Sequence, residues 1–161
     1  MKKQFAALAI AMTLISNCVL GQRIPLAVDQ SHFTKENIMG NYTVVQRPSM
    51  IVVGIECRTS NTPEAADDIP QHWQKFHSKD IIHQIQNKAS TEVVALYCDY
   101  SDAYKEGDYT QAYSLVIGCP VSSLDAVPEG MVAKIVPSGS YAVFRAVGEY
   151  PKNLLKTWKN I

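Results

Sequence analysis

Residues 131–148, MVAKIVPSGSYAVFRAVG, are the stretch that decides the fold of this chain. They centre on the turn sequence Pro137-Ser138-Gly139-Ser140. Apolar residues alternate with others on both sides of that turn: Val132 and Val136 precede it, and Tyr141, Val143 and Val147 follow it. Period-two alternation around a Pro, Ser and Gly turn predicts two strands joined by that turn.

A helical pattern follows this pair of strands, and the same order of patterns occurs earlier in the chain. Residues 43–54, TVVQRPSMIVVG, are two β-rich runs around a second Pro-Ser turn at Pro48-Ser49. The helical pattern after each pair has apolar residues at spacing i, i+4 and i+7: Ile69, Trp73 and Phe76 in the first, and Leu154, Trp158 and Ile161 in the second. We interpret the two halves as one structural unit used twice. The alternative is two unrelated segments of a common type.

The first unit continues into two further strands. A helix is expected to begin at Asp67 or Asp68 and to break near Ser78-Lys79-Asp80. The runs at residues 93–100 and 110–118 are rich in β-branched and aromatic residues and are expected to form a hairpin. The predicted fold class is therefore α+β, with duplicated strand–helix–strand–strand units forming an antiparallel sheet that carries its helices on one face.

The second unit is expected to be incomplete. The chain ends at Ile161, inside the second helical pattern, so the two final strands of the repeat have no counterpart. An unpaired sheet edge exposes backbone groups. We therefore expect either a C-terminally truncated chain of marginal stability or a second chain that completes the sheet.

The N-terminus has the pattern of an export signal. Lys2-Lys3 precede an apolar run at residues 5–15, and Val19-Leu20-Gly21 provide compact residues for cleavage. We predict a signal peptide at residues 1–21, a leader arm at 22–41 and a ligand-binding domain at 42–161, located in the periplasm or secreted. The alternative is a lipid anchor on Cys18, and contact with a membrane is expected only in that case.

Charge and cysteine content exclude some functions and leave others open. The 15 basic and 15 acidic residues give zero net charge, and loss of Lys2 and Lys3 with the first 21 residues would leave −2. Without a basic stripe, a nucleic-acid partner is not predicted.

Cys57, Cys98 and Cys119 would remain after export. Three cysteines allow at most one internal disulfide, and the alternative is that all three are buried apolar thiols.

Motifs for catalysis, metals and cofactors are absent from the sequence. There is no phosphate-binding loop, nucleophile elbow or HExxH motif, so no catalytic residue, metal or cofactor is predicted. His77, Asp80 and His83 are close in sequence, but the two histidines are six residues apart and would face differently on a helix. Glu56 and Asp99 are the carboxylates that a hydrolase would have to use.

Aromatic residues provide the candidate ligand site. Flat rings bury a large area at small entropic cost, and tyrosine hydroxyls orient a ligand. The alternative for each ring is an ordinary place in the core. The predicted ligand-binding residues are Trp73, Tyr97, Tyr113, Tyr141, Phe144 and Trp158.

Several stretches resemble the GyrI-like family, also described as the bacterial transcription-activator effector-binding domain. They are Val53-Gly54-Ile55, Arg58-Thr59-Ser60-Asn61, Ile69 with Trp73-Gln74-Lys75-Phe76, Tyr109-Thr110, Pro128-Glu129-Gly130-Met131, residues 135–144 (IVPSGSYAVF) and Thr157-Trp158-Lys159-Asn160-Ile161. The resemblance covers the chain from about Tyr42 to its end. It implies a duplicated fold with an aromatic-lined cleft for small, often cationic or amphipathic molecules.

The chain departs from the family pattern in two ways. The family's final strands, which carry a pocket-facing acidic residue, have no counterpart here, and a signal-like leader replaces a helix-turn-helix. The sequence therefore favours an exported, stand-alone effector-binding protein that senses or sequesters a hydrophobic or amphipathic, possibly cationic, ligand. The alternatives are a hydrolase of the same fold and a protein-interaction module without a small ligand.

Overall fold

The computed structural model describes residues 42–146, 149 and 152–158, except for the side chains of Lys105 and Leu155. The predicted signal peptide and leader arm, and Val147, Pro151 and Ile161 of the second unit, lie outside these residues. In chain order the elements are β1 (Tyr42–Arg47), β2 (Met50–Thr59), a 3-10 turn (Pro63–Ala65), α1 (Asp68–Ser78), α2 (Ile81–Gln84), β3 (Val94–Cys98), α3 (Asp102–Lys105), β4 (Tyr113–Val121), β5 (Val132–Val136), β6 (Gly139–Phe144) and α4 (Lys152–Trp158).

The strands confirm the α+β class with antiparallel pairing, but they form two sheets where a single sheet was predicted. The larger sheet has the order β3-β4-β2-β5, and the smaller consists of β1 and β6. Every pairing is antiparallel. The strands on either side of each Pro-Ser turn do not pair with each other; instead β1 pairs with β6 and β2 with β5.

The division into two sheets follows from the two Pro-Ser turns. Arg47 pairs with Gly139 and, beyond the turns, Met50 pairs with Val136. Continuing this register places Pro48 opposite Ser138 and Ser49 opposite Pro137. Because proline cannot donate a ladder hydrogen bond, the pairing breaks there and resumes on the other side. The duplication of the two units stays a prediction.

The pairing of β3 with β4 was predicted, but both strands have different limits. Val94 pairs with Gly118 and Cys98 with Ser114. β4 begins three residues later than expected because Asp108 holds the preceding segment in a turn, accepting hydrogen bonds from the Thr110 backbone N–H at 3.1 Å and hydroxyl at 2.5 Å. It then continues through Pro120, which is paired with Val52.

Helix α1 begins where the sequence predicted and ends at the expected break. Asp80 has a left-handed backbone with φ 51, and α2 starts immediately after it. Phe76 and Ile81 are buried on the sheet face that α1 and α2 cover. The described residues contain no helix long and apolar enough to cross a membrane.

The core lies on both faces of the larger sheet. The helical face is filled by the cluster Val53, Ile55, Phe76, Ile81, Ile85, Leu115, Ile117, Cys119 and Val121. The opposite face is filled by Val52, Val94, Leu96, Val116, Val136 and Tyr141. Every residue of β4 is buried, as expected for a central strand covered on both sides.

Candidate functional site: an aromatic cluster at one end of the sheet

Three of the six predicted site residues lie together at the end of the larger sheet. The ring of Tyr97, on β3, is 5.8 Å from that of Tyr113 on β4 and 5.7 Å from that of Trp158 on α4. Tyr97 and Leu115 are a cross-strand pair, so Tyr97 and Tyr113 are diagonal neighbours on the helical face. The strand register and the packing of α4 therefore bring these rings into contact.

Sequence reasoning missed three further rings in the connection between β3 and β4. Tyr100 is 4.5 Å from Tyr104 and 5.6 Å from Tyr113, and Tyr104 is 5.3 Å from Tyr109. The connection looked like a polar loop, yet it contains α3, which Ser101 caps by accepting a hydrogen bond from the Tyr104 backbone N–H at 3.3 Å. An N-cap serine followed by an acidic residue, here Ser101-Asp102, is the signal that could have placed Tyr104 on a helix.

These rings form a continuous set that we call the aromatic cluster. Its members are Tyr97, Tyr100, Tyr104, Tyr109, Tyr113 and Trp158. The set runs from the core to solvent, since Tyr113 is 3% exposed, Trp158 38% and Tyr109 65%. Burial raises the pKa of Tyr113 to about 12, and burial also raises the pKa of Tyr100, so both phenols are neutral at physiological pH.

A short hydrogen-bond chain fixes the inner wall of the aromatic cluster. The Tyr113 hydroxyl donates to Asn61 Oδ1 at 3.0 Å, and Asn61 Nδ2 donates to the Tyr109 carbonyl oxygen at 2.9 Å. Asn61 therefore connects the loop after β2 with the loop before β4. The phenol that lies deepest in the cluster has its donor satisfied by this contact.

The other three predicted residues lie elsewhere, and their role in binding stays a prediction. Trp73 contacts Phe76 at 6.0 Å and stacks on His77 at 5.7 Å on α1. Tyr141 is buried in the core of the face opposite the helices, where its hydroxyl donates to the Pro137 carbonyl oxygen. Phe144 lies 5.4 Å from Tyr42 in the two-stranded sheet.

A charged cluster occupies the opposite face at the same end of the sheet. Lys134 Nζ on β5 lies 2.7 Å from Asp99 Oδ2 and 3.0 Å from Glu56 Oε1. Arg58 completes the cluster, donating to the Asp99 carbonyl oxygen at 2.5 Å and to Ser114 Oγ at 3.2 Å. Lys134 therefore pairs with both carboxylates, while Arg58 binds carbonyl and hydroxyl oxygens next to them.

The ion pairs set the protonation of both carboxyl groups. Desolvation acts to raise the pKa of Glu56, but hydrogen bonds from Lys134 and Ser114 outweigh it and the pKa is lowered. The hydrogen bond from Lys134 also lowers the pKa of Asp99. Both groups are thus held ionised, whereas a general acid working near neutral pH needs a raised pKa.

An open polar groove of ≈ 630 Å³ lies beside α1, and its lining includes Cys57, Arg58, Asp68, His72, Lys75 and Lys79. His72 is buried, and its Nε2 donates to the Ile55 carbonyl oxygen at 3.0 Å. Desolvation lowers the pKa of His72, so the ring is held neutral. None of the six predicted site residues lines this groove.

The histidines that are close to Asp80 in the sequence make separate contacts in the structure. His83 Nδ1 lies 2.5 Å from Asp80 Oδ1, whereas His77 stacks on Trp73. The described residues contain no group of three potential metal ligands.

The three cysteines of the described chain, Cys57, Cys98 and Cys119, are free thiols. Cys119 is buried, whereas Cys57 and Cys98 are half-buried. The alternative of three buried thiols is therefore fully met by Cys119 alone.

The fold is shared with solved structures of low sequence identity. The structure of SAV2435 bound to tetraphenylphosphonium superposes with a TM-score of 0.59 at 20% identity, covering 73% of this chain and 68% of that one. A putative bacterial transcription regulation protein from Staphylococcus aureus MU50 superposes with a TM-score of 0.54 at 21% identity, covering 74% and 71%. At these identities the likeness concerns the fold.

Together with a family match over residues 43–161, this fold supports a GyrI-like effector-binding domain. Within that class, the chain belongs to the family of Cass2, the integron-associated effector binding protein, which matches residues 43–161. The transcriptional regulator BrlR of Pseudomonas aeruginosa is 34% identical over 109 residues, which are 68% of this chain and 36% of the regulator. The chain therefore spans about a third of that relative's length.

Proposed function

We propose that this chain is an effector-binding protein that binds a small hydrophobic or amphipathic molecule against the aromatic cluster. The observation that carries the proposal is the continuous run of rings from buried Tyr113 to exposed Trp158 and Tyr109. Half-exposed rings that pack on each other leave flat apolar faces for a ligand to cover. Membership of an effector-binding family supports the same function.

Lipophilic cations are one class of ligand that such a cluster can bind. The face of an aromatic ring attracts a cation, most strongly when the cation is desolvated. The fold neighbour SAV2435 was solved with tetraphenylphosphonium, a cation of this kind. We therefore propose amphipathic cations, together with neutral aromatic compounds, as the ligands to test first.

The proposal is tested by the fluorescence of a single tryptophan. The chain has two tryptophans, so Trp73→Phe leaves Trp158 as the reporter in the aromatic cluster. The chain is titrated with tetraphenylphosphonium and, separately, with tetraphenylborate, which has the same shape and the opposite charge. We expect tetraphenylphosphonium to quench Trp158 fluorescence more than tetraphenylborate does. In the same background, Tyr97→Leu should weaken binding by about 1–3 kcal/mol because it removes the ring between Tyr113 and Trp158.

A matched change in the two-stranded sheet serves as the control. Tyr42→Leu removes a ring that contacts Phe144 and should leave binding unchanged. An equal loss of affinity in Tyr97→Leu and Tyr42→Leu would show that the ligand site extends to Phe144. If a broad panel of aromatic cations and neutral compounds neither quenches Trp158 nor shifts the melting temperature, the ligand-binding proposal fails and the protein-interaction alternative takes its place.

The hydrolase alternative is not favoured by the charged cluster. Its two carboxylates, Glu56 and Asp99, are paired with Lys134 and are held ionised. A group committed to an ion pair in this way stabilises structure more readily than it transfers protons.

We also propose export to the periplasm or the exterior, based on Lys2-Lys3, the apolar run at residues 5–15 and Val19-Leu20-Gly21. N-terminal sequencing of the protein from the cell envelope is expected to begin at Gln22. Recovery of an intact chain from the cytosol would contradict this, and a lipid on Cys18 would replace it with an anchored form.

A further inference from the structure

The Thr59 hydroxyl is an exception in the hydrogen bonding around the aromatic cluster. Thr59 is the last residue of β2, is paired with Tyr113 and is 4% exposed. Its Oγ1 is buried and has no hydrogen-bond partner among the described residues. Because cross-strand partners share a sheet face, this hydroxyl lies beside the most buried ring of the cluster.

The polar groups around Thr59 are satisfied by one another. Ser60 Oγ and Thr62 Oγ1 are 3.1 Å apart, and the Tyr113 hydroxyl donates to Asn61 at 3.0 Å. A buried hydroxyl without a partner destabilises a fold by about 1–3 kcal/mol. Valine has nearly the same shape without that penalty, so a hydrogen-bond partner from outside the folded chain would lower the free energy of this site.

We propose that Thr59 Oγ1 is the polar anchor for the ligand of the aromatic cluster, an inference that rests on the function proposed above. The chemical class it selects is a small aromatic molecule with one hydroxyl or carbonyl group. A threonine hydroxyl both donates and accepts, and Tyr113 Oη keeps an acceptor lone pair while it donates to Asn61. Because Thr59 Oγ1 is closed to solvent in the free protein, a ligand hydroxyl pairs with it by displacing a neighbouring ring of the cluster and packing its own ring in that place.

Two variants separate the hydroxyl from the shape of the side chain. Thr59→Val removes the hydroxyl and keeps the branched shape, and Thr59→Ser keeps the hydroxyl. The probes are p-cresol and p-xylene, which differ by a hydroxyl in place of a methyl group. Binding is followed by ligand-observed NMR titration, and stability by thermal unfolding of the free protein.

The expected result is a gain of stability together with a loss of binding. Thr59→Val should raise the melting temperature by about 2–4 °C, because an unpaired buried hydroxyl is removed. The same variant should bind p-cresol about 3- to 10-fold more weakly and p-xylene unchanged, while Thr59→Ser should retain the preference for p-cresol.

Each contrary outcome overturns the inference. A lower or unchanged melting temperature in Thr59→Val would show that the hydroxyl already has a partner, from the protein or from bound water. Unchanged affinity of Thr59→Val for p-cresol would show that Thr59 does not contact the ligand, and failure of p-cresol to bind the wild type would reject the ligand class. The proposed function is judged separately by Trp158 quenching with tetraphenylphosphonium, which does not depend on Thr59.

Discussion

The two faces at this end of the larger sheet differ in how their polar groups are satisfied. On β2, Arg58 faces the charged cluster and Thr59 faces the aromatic cluster. On β4, Ser114 lies on the face of the charged cluster and Tyr113 on the opposite face. In the charged cluster the ammonium of Lys134 contacts both carboxylates. Beside the aromatic cluster, the buried Thr59 hydroxyl has no partner among the residues that the structure describes. A self-neutralised face offers a ligand little, so the difference favours the aromatic face as the binding site.

The largest expected effect comes from the centre of the aromatic cluster. Tyr113→Ala should lower the free energy of unfolding by about 3–5 kcal/mol, because a fully buried ring is replaced by a cavity. The matched control is Tyr109→Ala in the same cluster, where the ring is 65% exposed and the loss should stay below about 1 kcal/mol. Urea unfolding measures both, and similar losses would contradict the gradient from core to solvent.

A smaller effect is expected from the charged cluster, and it depends on pH. Lys134→Met leaves Glu56 and Asp99 without their shared cation and should cost about 0.5–2 kcal/mol at pH 7. The folded-state pKa of each carboxyl is lowered below 4.5 for Glu56 and 3.8 for Asp99, so their stabilisation exists above those values and is lost as the pH falls. The wild type should therefore lose more stability than Lys134→Met between neutral pH and acid.

The control for this comparison is Lys79→Met, which removes the same charge from an exposed position at the end of α1. Urea unfolding over a series of pH values should give this control the same acid dependence as the wild type. An equal acid dependence in Lys134→Met would mean that the two ion pairs contribute no stability.

The smallest expected effect is an alkaline one on the aromatic face. Burial raises the folded-state pKa of Tyr113 from 10.0 to about 12, so its contribution to stability is complete below pH 10 and is lost as the pH rises toward 12. Spectrophotometric titration of tyrosinate should show a late component to which Tyr100 also contributes, and Tyr113→Phe should reduce that component by one tyrosine. That variant should lose about 0.5–1.5 kcal/mol with the hydrogen bond to Asn61. Titration of all tyrosines in one early step would contradict the burial of Tyr113.

Local patterns predicted the elements better than their partners. The spacing of Ile69, Trp73 and Phe76 predicted α1, because an amphipathic helix repeats its apolar positions at that spacing. The sequence also predicted the two Pro-Ser turns, but it did not predict that each turn connects the smaller sheet with the larger one. Strand pairing depends on contacts between residues far apart in sequence, such as Val53 with Ala133, which periodicity does not encode.

The same distinction applies to the candidate site. Alternation along β3 and β4 shows that Tyr97 and Tyr113 can each lie on one face of a sheet, and motifs link the chain to effector-binding domains. Register decided that these two rings meet, and the folding of the β3–β4 connection decided that Tyr100, Tyr104 and Tyr109 join them. Tertiary packing also left the Thr59 hydroxyl without a partner in the described part of the chain, since hydrogen-bond satisfaction depends on which atoms lie within about 3 Å and not on residue type.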